Sequence, residues 1–303
     1  MASLRCTTYI LRTSTYALDI LKKNPHGTLH SAYRRAVNLR FGEYLLALQC
    51  QGSPLSPLSL ITNMDEEMLS ALTEDEITEV IYQDGQLVLM SNCRVLMPVK
   101  MAESIDVQEL HLPSIEENDN HRISRELRAA LTSNTTPDPS IFRHLLSDCI
   151  PGEMVDQAVP RTLSLTEEFL LPRLQSILSA ATTAIKTNNY ELSAENLVRL
   201  IGLGGGLTPA GDDFLCGCLA GLELSGKGDH PLTEALRREI LLHLKDTNEI
   251  SAAFLACACE GEFSEAVLFA ARGAEAWDVL SAFDAIGHSS GWDTLWGIMY
   301  GMK

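Results

Sequence analysis

The chain has 303 residues, of which 46% are hydrophobic and 21% charged, and its formal net charge is −17. This is the composition of a globular protein with one large domain or two smaller ones. The acidic balance argues against a dedicated nucleic-acid-binding protein, whose surface is normally basic, and no uninterrupted apolar stretch approaches the roughly 18–20 residues that a membrane span requires.

Charge is uneven along the chain. Residues 1–42 carry seven basic side chains (Arg5, Arg12, Lys22, Lys23, Arg34, Arg35 and Arg40) against one acid, Asp19, so that segment is +6 and the remainder −23. A local positive patch can attract a small anion on an acidic protein, because screening limits each field to about 8–10 Å. The eight cysteines stand at positions 6, 50, 93, 149, 216, 218, 257 and 259. In a long chain without a secretory signal they are expected to be reduced thiols of a cytoplasmic protein. Cys216/Cys218 and Cys257/Cys259 fall in helical stretches, where positions i and i+2 point about 200° apart, so a shared metal is not expected from either pair.

Residues 28–112 read as strand-rich. Residues 37–41, a turn at Gly42-Glu43 and residues 44–48 form one hairpin pattern, with apolar residues near period two. Residues 79–83, a turn at Asp84-Gly85 and residues 86–90 form another, Asp-Gly accepting the positive φ angles of a tight turn. Residues 65–72 fit a short helix between them. A solvated connector is expected over 112–120, where Pro113, Ser114, Glu116, Glu117 and Asp119 cluster. Helices are then expected over 121–131, with Ile123, Leu127, Ala130 and Leu131 at helical spacing, and over 140–146 after Pro139. Further helices are expected over 166–186 with a bend at Pro172, 193–201, 231–244, 250–259 and 264–283. The expected class is α+β: a β-rich N-terminal region (1–115) followed by a C-terminal α-helical bundle (116–303), with the candidate site at their interface.

Three stretches carry candidate chemistry. The first runs Gly202-Leu203-Gly204-Gly205-Gly206-Leu207-Thr208-Pro209-Ala210-Gly211-Asp212-Asp213. Thr208 suits a helix N-cap and Pro209 a first helical position, and free N–H groups at a helix start attract phosphate or carboxylate. No Gly-Lys-Ser/Thr follows, and Leu207 replaces the third glycine of a dinucleotide fingerprint. A glycine turn capped by Thr208 explains part of this stretch, but five glycines in ten positions exceed what a cap requires. Asp212 and Asp213 are open to three readings: partners of the helix dipole, acceptors of N–H groups from a substrate amide or from the arginines, or ligands of Mg²⁺.

The second stretch, Gly287-His288-Ser289-Ser290-Gly291-Trp292-Asp293-Thr294, places Ser290 and Asp293 in a capping-box spacing. His288 lies just before it and belongs to the residue type that titrates near neutrality. The third, Tyr33-Arg34-Arg35-Ala36-Val37-Asn38, offers guanidinium forks suited to phosphate or carboxylate. Adjacent arginines at a strand start point to opposite faces, so at most one is expected to reach a shared site.

Together these stretches resemble one family. The run Tyr33 to Leu39 with Gly52, the run Gly204 to Pro209 with Asp212-Asp213, Ile250-Ser251 with Gly261 and Phe263, and the run Gly287 to Thr294 with Gly297 are similar to the AllH (YlbF) family. That family is a subunit of the oxamate carbamoyltransferase of bacterial allantoin and purine breakdown. Where relatives carry Pro between the glycines, this chain has Gly205.

The resemblance implies the reaction of oxalurate with phosphate to give oxamate and carbamoyl phosphate, or its reverse, and companion subunits resembling FdrA and AllG. Such a transfer needs a phosphate cradle, oxyanion stabilisation and a proton shuttle, and Gly204, Gly205, Gly206, Thr208, Asp213, Ser289, Ser290 and Asp293, together with Arg34, Arg35 and Asn38, are the residues expected to bind the phosphate or carboxylate. His288 would move the amide proton and Asp212 would orient amide N–H groups. No cofactor is implied beyond the Mg²⁺ option. Two other readings stay open: a non-catalytic anion-binding or assembly subunit, and a metal-dependent hydrolase built on Asp212, Asp213, Asp293 and His288. The Ser-Thr-x-Arg-Thr phosphate loop of aspartate and ornithine carbamoyltransferases does not occur, so their paired α/β domains are not expected.

Overall fold

Period-two alternation in the N-terminal part of the chain builds a closed eight-stranded barrel. Its elements are β1 (Thr8–Ser14), α1 (Thr15–Lys23), β2 (His26–Ala32), β3 (Ala36–Phe41), β4 (Tyr44–Gln49), β5 (Ser59–Thr62), α2 (Glu66–Glu74), β6 (Glu79–Gln83), β7 (Gln86–Ser91) and β8 (Arg94–Gln108). The computed structural model describes residues 7–74, 77–92, 94–113, 117–133, 138–146 and 163–303. Cys6, Cys93, Cys149 and Arg5, with residues 114–116 of the expected connector, lie outside these.

Around the barrel the strand order is β1-β5-β4-β3-β2-β6-β7-β8, closed by a parallel β1–β8 ladder. The β4–β5 ladder is also parallel and the others are antiparallel. Both expected hairpins are present. Gly42 takes φ +60° between β3 and β4, and Asp84 and Gly85 take +49° and +71° between β6 and β7, as a primed turn requires. Val37, Leu39 and Phe41 fill the interior from alternate positions of β3. Gly27 makes room for Phe41, since a Cβ there would lie 2.7 Å from the Phe41 ring. Ser14 links strand to helix: its hydroxyl accepts the Ala17 N–H at 2.8 Å and caps α1.

Contacts divide the chain into Met1–Leu110 and His111–Lys303. The second unit is helical: α3 (Glu117–Ser133), α4 (Arg143–Leu146), α5 (Leu165–Lys186), α6 (Tyr190–Leu197), a 3-10 turn at Val198–Leu200, α7 (Ala210–Leu224), α8 (Pro231–His243), a 3-10 turn at Leu244–Asp246, α9 (Glu249–Cys259), α10 (Glu265–Ala271), α11 (Ala276–Asp284) and α12 (Ser290–Gly301).

Three expectations need correction. Glu117 and Asp119 belong to α3 rather than to a connector. The expected helix over 264–283 is two helices, interrupted where Gly273 takes φ +73°. The helix after Pro139 starts only at Arg143, because the Ser140 hydroxyl accepts the Phe142 N–H and holds a turn there instead.

The centre of this unit is the α7–α12 pair. A Cβ on Gly217 or Gly221 would run into the carbonyl oxygens of Thr294 and Ile298, and one on Gly297 or Gly301 into those of Phe214 and Cys218. The helices therefore meet backbone to backbone, glycines on each filling the space beside carbonyls of the other. The paired positions rise together along both helices, so the two run parallel with their N-termini at the same end. Phe142 stacks on Phe214 with ring centroids 4.1 Å apart and closes one side of the pair.

A Gly297→Ala substitution should lower stability by about 1–3 kcal/mol through overpacking, although alanine in an open helix is favoured over glycine by about 1 kcal/mol. Urea denaturation measures this, and an unchanged or raised midpoint would contradict the close approach.

Candidate functional site

Three helix N-termini meet at the glycine loop. Thr208 and Ser290, the latter at the start of α12, share a hydroxyl–hydroxyl bond of 2.8 Å. The Asn248 side chain caps α9 by accepting the Ile250 and Ser251 N–H groups, and its amide donates to the Leu207 carbonyl at 2.9 Å. The Ser251 hydroxyl donates at 2.6 Å to Asp212, in the first turn of α7. The loop from Gly202 to Thr208 is thus tied to α7, α9 and α12 at their positive ends.

The loop itself has an uncommon backbone. Gly202, Gly204 and Gly206 take φ of +73°, +125° and +98°, and a Cβ on Gly204 would lie 2.5 Å from the Ala210 nitrogen. Among the described residues, the N–H groups of Gly204, Gly205, Gly206, Leu207 and Thr208 donate to no protein acceptor. By contrast, the Gly202 N–H is given to Asp212 and the Leu203 N–H to the Leu200 carbonyl.

The carboxylates of this site differ sharply in their surroundings. Asp212 is buried and accepts three hydrogen bonds, from the Gly202 N–H at 2.7 Å, the Thr247 hydroxyl at 2.5 Å and the Ser251 hydroxyl at 2.6 Å. It fastens the loop to the start of α9. Asp293 is buried and accepts the Ser140 hydroxyl at 2.6 Å. The Oδ2 of Asp213 is buried with no hydrogen-bond partner among the described residues. Burial above all, and then the neighbouring Asp293, push the Asp213 carboxyl well above the usual carboxylate range, while the hydroxyls of Ser290 and Thr208 pull it the other way.

Two expected caps take other roles. The N-cap position of α7 is Pro209 rather than Thr208, and no side chain caps it. Thr208 is one residue too early, and its hydroxyl goes to Ser290. Ser289, not Ser290, occupies the N-cap of α12, again without a side-chain cap. Asp293 turns inward to Ser140 instead of closing a capping box. His288 is exposed in the turn before α12 and has no hydrogen bond among the described residues.

Arg34, Arg35 and Asn38 belong to the N-terminal unit. Arg34 and Arg35 sit in the turn between β2 and β3 rather than at a strand start, and both guanidinium groups reach one carboxylate, Glu66 of α2. The expected divergence to opposite faces therefore does not occur. Asn38 donates its side-chain amide to the Ser31 hydroxyl across the β2–β3 ladder at 3.0 Å.

Asn248, Thr247, Ser251, Asp138 and Ser140 had no assigned role in the sequence. Asp138 accepts the Trp296 indole N–H at 2.8 Å and the Ser140 N–H at 2.8 Å, which presses this turn onto α12. The Asp-Pro-Ser run marks a turn, but nothing in it names Trp296 or Asp293 as partners. Among the described residues no group of three or more His, Cys, Asp or Glu side chains forms a metal-binding cluster.

Residues 9–103 match the family model described as AllH family N-terminal domain, and residues 200–302 match that described as oxamate carbamoyltransferase subunit AllH. The two matches cover about two thirds of the chain and include the barrel, the glycine loop and α12. No curated protein and no solved structure matches the chain.

Asp212→Ala should cost about 3 kcal/mol or more, because three donors lose a buried charged acceptor. Chemical denaturation reads this directly. A loss under about 1 kcal/mol would mean that the loop is not held through Asp212.

Proposed function

The chain belongs to the AllH family, and on that premise we propose that it is a subunit of an oxamate carbamoyltransferase-like enzyme whose glycine loop binds the phosphate or carboxylate of the substrates. The reaction is the transfer of a carbamoyl group between oxalurate and phosphate, giving oxamate and carbamoyl phosphate, within allantoin and purine nitrogen breakdown. The observation that carries this reading is the run of five N–H groups, Gly204 to Thr208, without acceptors among the described residues, where three helix N-termini meet. Such amides suit a phosphate oxygen or a developing oxyanion, and removing one such donor typically costs roughly 10²–10³ in rate.

In the direction that makes carbamoyl phosphate, a phosphate oxygen attacks the terminal carbamoyl carbon of oxalurate. The carbon–nitrogen bond breaks and the departing oxamate amide takes up a proton. His288, exposed and without a hydrogen bond among the described residues, is assigned that proton transfer. Ser289, Ser290, Asp213 and Asp293 line the anion. Asp212 acts on the substrate through the loop it holds. Arg34 and Arg35 provide positive charge on the N-terminal unit, shared with Glu66, and Asn38 keeps their turn in register with β2.

An AllH chain is one subunit of an enzyme, so it has partner chains; FdrA-like and AllG-like proteins are the ones proposed. Large exposed apolar side chains favour assembly as a second function of this chain: Leu165 and Phe169 lie one turn apart on α5, and Trp277 is on α11. Among the described residues no helix is long and apolar enough to cross a membrane.

In the complex reconstituted with its partners, His288→Ala should keep its thermal midpoint and lower kcat by about 10²–10⁴. Arg35→Ala should also stay folded and lose activity. Wild-type rates in both variants would end the assignment. Calorimetry of the isolated chain with carbamoyl phosphate, beside titration with the purified partners, separates binding from assembly: partner binding with no ligand heat would leave only the assembly role.

A further inference from the structure

Three carboxylates surround a loop proposed to bind an anion, and their negative charge must be disposed of for such a ligand to stay. Asp212 is satisfied by three donors and Asp293 receives the Ser140 hydroxyl. Asp213 has a buried Oδ2 with no hydrogen-bond partner among the described residues, and its carboxyl has the hydroxyls of Ser290 and Thr208 and the carboxylate of Asp293 for neighbours. It stands in the first turn of α7, where the N-terminus of α12 adds its own field through the Thr208–Ser290 contact. Two parallel helix ends together supply roughly one positive charge. They can hold an ionised Asp213 or a bound anion with little repulsion, but not both at close range in a poorly hydrated site.

Resting on the anion-binding reading above, the geometry points to a proton-linked site: the glycine loop takes up its anion while Asp213 is a neutral carboxylic acid and gives it up when Asp213 loses that proton. The burial that raises the Asp213 carboxyl acts in the same direction. A raised carboxyl is neutral below its folded-state value and charged above it. Affinity is therefore full on the acid side and falls as pH rises through that value, which lies above the ordinary carboxylate range. Among the described residues, Asp293 on α12 and Asp212 on α7 act on the Asp213 carboxyl, and Cys216 on α7 is coupled to it; Glu249 opens α9 and His288 lies in the turn before α12. Cys216 stays a neutral thiol, since burial first and then Asp213 and Asp212 push it far up. Glu249 is exposed. His288 is assigned a proton-transfer role of its own, so it is varied separately as a control.

Sulfate is the probe, because its charge is constant across the working range whereas that of phosphate is not. Calorimetric titration of the full chain at fixed ionic strength, from about pH 5 to about pH 9, should show a dissociation constant that rises by up to about tenfold per pH unit once Asp213 ionises. Asp213→Asn should bind sulfate with a flat profile, and His288→Gln should keep the wild-type rise. Circular dichroism confirms that both variants are folded. A wild-type profile that stays flat while sulfate binds, or a wild-type rise retained in Asp213→Asn, would overturn the proton linkage and leave the anion site standing. Absence of sulfate binding by the wild type at every pH would instead remove the anion site, and the linkage with it.

Discussion

Everything at the candidate site depends on how closely α7 and α12 approach. Four glycines remove the side chains that would otherwise hold the helix backbones apart, and each lies beside a carbonyl of the other helix. Because the pair is parallel, both positive ends face the same way. Antiparallel packing at the same distance would have cancelled those ends against negative ones. The glycine loop leads into α7, Ser289 and Ser290 open α12, and so the hydroxyls of Thr208 and Ser290 can touch across 82 residues of sequence.

That geometry explains the acids. A helix start favours a nearby carboxylate, and Asp212, Asp213 and Asp293 all occupy first turns. The three are not equivalent. Asp212 is a structural clamp whose charge is spread over three hydrogen bonds. Asp293 is joined to the Ser140 turn, which also presses Asp138 onto Trp296. Asp213 has a buried Oδ2 without a hydrogen-bond partner among the described residues, and its carboxyl is held well above the usual carboxylate range by burial and by Asp293. Helix ends and backbone N–H groups set the local field at such a place, and net charge acts only at longer range.

Much of the fold was legible in the sequence where its cause is local. Gly42 and Asp84-Gly85 marked both hairpins because tight turns need particular residues. The helices over most of the C-terminal region followed from spacing. Barrel closure was not legible: β8 pairs with β7 over its first half and with β1 in its second, and no residue in β8 announces a partner as distant in sequence as Thr8 is from Val99. The caps failed for a related reason. Thr208 and Ser290 look like helix-start residues, yet each hydroxyl finds the other, an interaction that exists only once α7 and α12 have packed. Gly273 was the missed local signal that divides α10 from α11. The motifs that carry the family resemblance are local strings, and they fall within the two segments matched by the family models.

The central claim is that the N–H groups of residues 204–208 form the anion seat created by the parallel α7–α12 pair. The most direct measurement is an NMR titration of the ¹⁵N-labelled chain with inorganic phosphate. The amide signals of Gly204, Gly205, Gly206, Leu207 and Thr208, with those of the first turn of α12, should move together along one saturable curve. Saturable shifts confined to other segments, with these signals unmoved, would contradict it.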